Sequence, residues 1–84
     1  MNEGNNMYEL KFADIGEGIN EGTILTWNYK VGDKVKEGDV LVIVETDKLQ
    51  ADITSPKTGT ITKIGFQEGE NVNVGDVLAV IEEE

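Results

Sequence analysis

Moved along by 37 residues, the chain matches itself without a gap, and this repeat limits the folds open to it more than any other feature of the sequence. Gly22-Thr23-Ile24 falls on Gly59-Thr60-Ile61, Tyr29 on Phe66, Gly32 on Gly69 and Val35 on Val72. Gly38-Asp39-Val40-Leu41 falls on Gly75-Asp76-Val77-Leu78, and Glu45 on Glu82. Ten of the 24 aligned positions are identical, and most are the glycines and apolar residues that fix turns and core. Two copies are too few for a solenoid, which needs about three. Two sets of short strands can instead lie face to face, each burying its apolar side on the other, as an antiparallel sandwich with approximate two-fold symmetry.

That the copies are made of strands follows from their patterning. Residues 8–13 and 49–54 alternate apolar with polar, residues 23–29 form a second strand-like run, and residues 40–44 are an apolar, β-branched run too short for a buried helix. Ten glycines in 84 residues suit many short strands and tight turns, since glycine inside a helix is costly. The single proline, in Ser55-Pro56-Lys57-Thr58-Gly59, ends one course of strands before the next begins. The predicted core is Ile24, Trp27, Val31, Val35, Leu41, Val44, Ile53, Ile61, Ile64, Val72, Leu78 and Val80, with Trp27 as a packing anchor. The faces taken by Val40, Val42 and Ile43 stay open, because their run does not alternate.

Seventeen acidic against seven basic residues give a formal charge of −10. Such a surface repels phosphate backbones and anionic lipid, which argues against nucleic-acid and membrane partners and leaves a basic protein partner or simple solubility. No apolar run approaches the length of a membrane span. The chain has neither cysteine nor histidine, so thiol or Ser–His nucleophilic catalysis, disulfides and zinc sites on thiolate or imidazole are excluded. Gly16-Glu17-Gly18 invites a phosphate-loop reading that fails on spacing, on the missing Gly-Lys-Ser/Thr and on the sign of its charge. No catalytic residue and no metal site is expected.

Between the strands at 40–44 and 49–54, Thr46-Asp47-Lys48 must turn the chain. Two-residue hairpin turns favour Asn-Gly or Asp-Gly because φ is positive at their central positions, and Asp47-Lys48 offers no glycine. Aspartate suits the start of a turn, but turn chemistry does not ask for lysine at the tip. Lys48 is thus either an ordinary solvated lysine or a residue with a task other than folding. The repeat bears on the choice, for it matches the hairpin to the place after Ile81-Glu82 where the chain leaves the domain. The lysine turn and the exit should lie at opposite ends, the layout of a tethered carrier. Residues 1–7 read as a shapeless extension, residues 8–82 as the domain, and residues 83–84 as the start of a solvated linker or a frayed acidic terminus.

Asp14-Ile15-Gly16-Glu17-Gly18, Gly32-Asp33, Glu45-Thr46-Asp47-Lys48 and Ser55-Pro56-Lys57-Thr58-Gly59, in this order and spacing, resemble the lipoyl domains of 2-oxo acid dehydrogenase complexes. The resemblance covers residues 8–82. It implies an all-β flattened barrel of two four-stranded antiparallel sheets, with lipoic acid in amide linkage to Lys48 at a hairpin tip. It also implies partners: a thiamine-dependent 2-oxo acid decarboxylase, a dihydrolipoyl acyltransferase core, a dihydrolipoyl dehydrogenase and a lipoate ligase. The Asp14 to Gly18 pattern is similar to that of the pyruvate dehydrogenase acyltransferase, whereas Leu49 departs from the commoner alanine after the lysine. Glu45, Thr46, Asp47 and Leu49 around Lys48, with Glu17 and Glu21 in the first loop, are the expected recognition residues. A monomeric domain in a bacterial cytoplasm is expected, in preference to a mitochondrial matrix.

Biotinyl domains share the fold, but methionines flank their lysine, where this chain has Asp47 and Leu49. An unmodified adaptor domain of the same fold is the alternative from another class. A stand-alone enzyme lacks any set of residues to form its site.

Overall fold

The computed structural model describes residues 6–13 and 18–84. Among them are eight strands and no helix: β1 (Asn6–Lys11), β2 (Glu21–Trp27), β3 (Lys34–Val35), β4 (Val40–Glu45), β5 (Gln50–Thr54), β6 (Gly59–Ile64), β7 (Asn71–Asn73) and β8 (Val77–Glu83). They form two four-stranded antiparallel sheets in the orders β1-β8-β6-β3 and β5-β4-β2-β7. The fold is the flattened, two-sheet all-β sandwich expected. Its bounds differ at both ends, because Asn6 and Met7 already pair with Glu83 and Glu82, and β8 runs through Glu83. Beyond β8, Glu84 still donates its N–H to the Thr58 carbonyl at 3.2 Å.

The repeat maps β2, β3 and β4 onto β6, β7 and β8, and the pairing shows how the copies are joined. The short strand of each copy crosses to the other sheet: β3 pairs with β6, and β7 pairs with β2. Neither copy can complete a sheet alone. Equivalent bonds repeat, since Gly32 N–H reaches Ile61 O and Gly69 N–H reaches Ile24 O, each at 2.8 Å. At Gly32, Gly38, Gly69 and Gly75 φ lies between 92° and 98°, a backbone that side chains rarely adopt, so both copies keep glycine there.

The run at 40–44 fails to alternate because the ladder is bulged. Val40 faces Thr54 and Val42 faces Ile53, which leaves Leu41 as the extra residue. A bulge sets two residues of one strand against one of its partner. Leu41 and Val42 are therefore buried in succession, and Leu78 and Ala79 repeat the pattern in β8. The core has two connected parts: Phe12, Ile19, Ile24, Val42, Val44, Val72 and Leu78 form one, and Leu10, Val35, Leu41, Ile61 and Ile81 the other.

Trp27 packs against both parts and donates its indole N–H to the Phe66 carbonyl at 2.9 Å. Val31, expected inside, is 57 % exposed, because it sits in the turn between β2 and β3 rather than on a paired strand. Ile53, Ile64 and Val80 are half-buried. Leu10, Phe12, Ile19 and Ile81 complete a core that the sequence had only partly indicated.

Candidate functional site

β4 starts beside Ser55, which accepts the Gly38 N–H at 2.7 Å and donates its own N–H to Asp39 O at 2.8 Å. Two residues on, Lys57 pairs with Glu83 at 3.9 Å, so this is the end where the chain leaves. Six residues of β4, roughly 20 Å of extended chain, separate it from Glu45, where the lysine hairpin begins. The twofold explains the placement. Glu45 pairs with Gln50 as Glu82 pairs with Met7, so residues 46–49 fill the position that the two termini leave open at the other end.

The hairpin tip solves its missing glycine with a side chain. No described residue other than glycine has positive φ, so Asp47 and Lys48 do not adopt the conformation usual in two-residue hairpins. Thr46 N–H bonds to Leu49 O at 2.8 Å, and the Thr46 hydroxyl donates to the same carbonyl at 2.7 Å. Its oxygen accepts the Leu49 N–H at 3.0 Å and the Lys48 N–H at 3.3 Å. One hydroxyl thus serves the backbone polar groups that an exposed tight turn would otherwise leave to water. Asp47, Lys48 and Leu49 are exposed beyond it.

Beside the tip lies a shallow open depression lined by Asn20, Glu21, Thr46, Asp47, Lys48 and Asn71, among others. The first loop is brought there by Ile19, which is 2 % exposed and buried in the same core cluster as Val44 and Val72. Asn20 continues the anchorage by accepting the Val74 N–H at 2.9 Å. The loop then enters β2 at Glu21, and Thr23 in that strand donates its hydroxyl to Asn71 Oδ1 at 2.9 Å. Glu21, Glu45, Asp47 and Lys48 therefore share one end of the molecule, whereas Glu17 lies outside the described residues.

Asn20 and Asn71 were not singled out in the sequence, and Thr23 entered only through the self-match, not as a site residue. The only trace of Asn71 there is its place beside Val72, whose match with Val35 marks a strand. Among the described residues the one shifted ionisation lies outside the depression at the tip: the phenol of half-buried Tyr29 is raised by burial and by the carboxylates of Asp39 and Asp33. Among the described residues no group of acidic side chains is arranged to hold a metal ion, and no helix is long and apolar enough to cross a membrane.

This arrangement can present an amine on a defined turn, beside a depression that is open rather than enclosed. A dihydrolipoyllysine-residue acetyltransferase component of pyruvate dehydrogenase complex from Acholeplasma laidlawii is 74% identical over 53 residues, which are 63% of this chain and 10% of that protein. The corresponding component of Mycoplasma capricolum is 55% identical over 53 residues, 63% of this chain and 12% of that protein. The chain thus spans about a tenth of the length of these curated relatives.

Among solved structures, the lipoyl domain of the 2-oxoglutarate dehydrogenase complex from Azotobacter vinelandii superposes with a TM-score of 0.73 and 33% identity, over 89% of this chain and 95% of that one. The Kluyveromyces lactis urea carboxylase superposes with a TM-score of 0.75 and 27% identity, over 96% of this chain and 7% of that one. A family model described as "Biotin-requiring enzyme", the biotin/lipoyl attachment domain, matches residues 8–81. With the family matched over most of its length and a lipoyl domain as a relative of nearly equal extent, the chain belongs to the biotin/lipoyl attachment family, as a lipoyl domain.

Proposed function

We propose that Lys48 carries lipoic acid and that the domain works as a mobile carrier in a 2-oxo acid dehydrogenase complex, with pyruvate as the 2-oxo acid. The observation that carries this reading is the exposed Lys48 on a side-chain-clamped turn, about a strand's length from the end where the chain leaves. The Lys48 ammonium would lose a proton, and with it its positive charge, and the neutral amine would then displace the leaving group of an activated lipoate, giving up a second proton as the amide forms. When bound, lipoate supplies a dithiolane that can take up an acyl group and two electrons and pass them on. The fit is good: the amine stands clear of the core, and the open depression beside it leaves room for a long neutral arm.

The chain's own contribution is presentation and recognition. A tether turns each encounter into an intramolecular one, with effective concentrations on the order of mM for short flexible linkers. Asp47 and Glu21, with Glu17, offer carboxylates that a basic surface on the decarboxylase or the lipoate ligase can read. The further partners of this reading are a dihydrolipoyl acyltransferase core and a dihydrolipoyl dehydrogenase, in a bacterial cytoplasm, with the isolated domain monomeric. The pyruvate dehydrogenase names of the bacterial relatives support this assignment.

Intact mass after expression with lipoate and a lipoate ligase is the test, with Lys48→Arg as control. One lipoyl mass on the wild type and none on the variant is the expected result. An added biotin mass would assign the domain to the biotinyl branch, and an unchanged mass would favour an adaptor. Replacing Glu17 and Glu21 together by Gln should slow reductive acylation by the decarboxylase; an unchanged rate would remove the first loop from the recognition surface.

A further inference from the structure

We infer that Thr46 is the positioning residue for the modification of Lys48, acting through the turn rather than by touching a partner. This deepens the carrier reading and rests on it. The hydroxyl makes one donated and two accepted hydrogen bonds, all to residues 48 and 49. Those bonds include the N–H of Lys48 itself, so they hold the backbone from which its side chain leaves the turn.

The side chain that makes these bonds is braced from behind. At Gly22 the absence of a side chain lets β2 lie close against the base of the hairpin. A Cβ there would come within 2.5 Å of Val44 Cγ1, 2.9 Å of Glu45 O and 3.3 Å of Thr46 Cγ2. The Thr46 methyl group therefore faces the Gly22 backbone, which leaves the hydroxyl to point into the turn. A β-branched residue has few χ1 rotamers, and this packing selects the one that clamps residues 48 and 49. Both requirements fall on one position: a methyl for the strand behind and a hydroxyl for the turn in front. The sister position in the repeat, Glu83, is instead a paired residue of β8, set against Asn6 and Gly59.

The test compares Thr46→Val, which keeps the methyl and loses the hydroxyl, with Thr46→Ser, which keeps the hydroxyl. Lipoate attachment by the ligase and amide hydrogen exchange at Lys48 and Leu49 are measured on both and on the wild type. Losing these bonds should lower kcat/KM for attachment to Thr46→Val about tenfold, the scale of one or two hydrogen bonds, while Thr46→Ser stays within about threefold of wild type. The two amides should exchange faster in Thr46→Val alone, with exchange in the core strands unaltered. A Thr46→Val domain labelled at the wild-type rate, or one whose two amides keep their protection, overturns the proposal. So does an equal loss in both variants. A wild-type domain that takes up no lipoyl mass overturns the carrier reading itself and this proposal with it, an outcome distinct from the others.

Discussion

The two ends of the sandwich are built from equivalent strands and finished differently. At one end Glu45 and Gln50 are joined by four residues; at the other the matching pair, Glu82 and Met7, lies on the last and first strands, which no turn joins. The closed end is held by a hydroxyl bonded to three backbone groups. The open end is braced by Lys57–Glu83 at 3.9 Å and Lys34–Glu84 at 3.8 Å, with the Lys57 ammonium 5.7 Å from the centre of the Tyr8 ring. Surface ion pairs are worth at most about 1 kcal/mol and weaken with salt. A scaffold with nearly equal halves thus finishes one end with a side-chain-clamped turn and the other with strand pairing and surface ion pairs.

The sharpest way to break this comparison is chemical. Lys34 at the open end and Lys48 at the closed end are both exposed, yet all added lipoyl mass should map to the peptide containing Lys48 and none to Lys34. Label on Lys34 would mean that exposure alone, and not the clamped turn, selects the lysine. The Lys48→Arg domain should remain wholly unlabelled while unfolding at the wild-type urea midpoint.

Next in size is the shared core. Ile24 and Ile61 are equivalent in the repeat and are 1 % and 0 % exposed, so each Ile→Ala change should cost about 2–5 kcal/mol in urea unfolding. A clear excess at one site would show that the halves pack unequally. A smaller effect separates the glycines. A Cβ at Gly59 would strike the backbone carbonyl of Glu82, whereas one at Gly22 meets a Val44 methyl first and would stand 2.9 Å from the Glu45 carbonyl. Gly59→Ala should therefore destabilise by about 1–3 kcal/mol and by more than Gly22→Ala. The reverse order would place the tighter strand contact at the tip. Least of all, Lys57→Ala and Lys34→Ala should each change stability by under about 1 kcal/mol, an effect that vanishes in high salt.

Much of this was legible along the chain. The self-match identified the equivalent strands, the glycine pairs and the place of the lysine hairpin, because turn backbone with positive φ and close strand contacts leave a mark in residue identity. The face of each residue around 40–44 was not legible. A bulge depends on which partner residue is skipped, and that partner lies in another strand. Val31 shows the same limit from the other side, an apolar residue at strand spacing that the turn carries into solvent. Thr46 was visible as a neighbour of the lysine, but its three bonds require the turn to be closed first.

By itself the sequence determined a doubled, acidic, all-β scaffold with one lysine set where a turn had no need of it. Only the tertiary structure decided that β3 and β7 trade sheets, that Leu41 and Val42 both face inward, and that a threonine hydroxyl holds the lysine's turn. The physical reason is that a repeat records which positions share an environment, whereas hydrogen bonds between distant strands decide what that environment is.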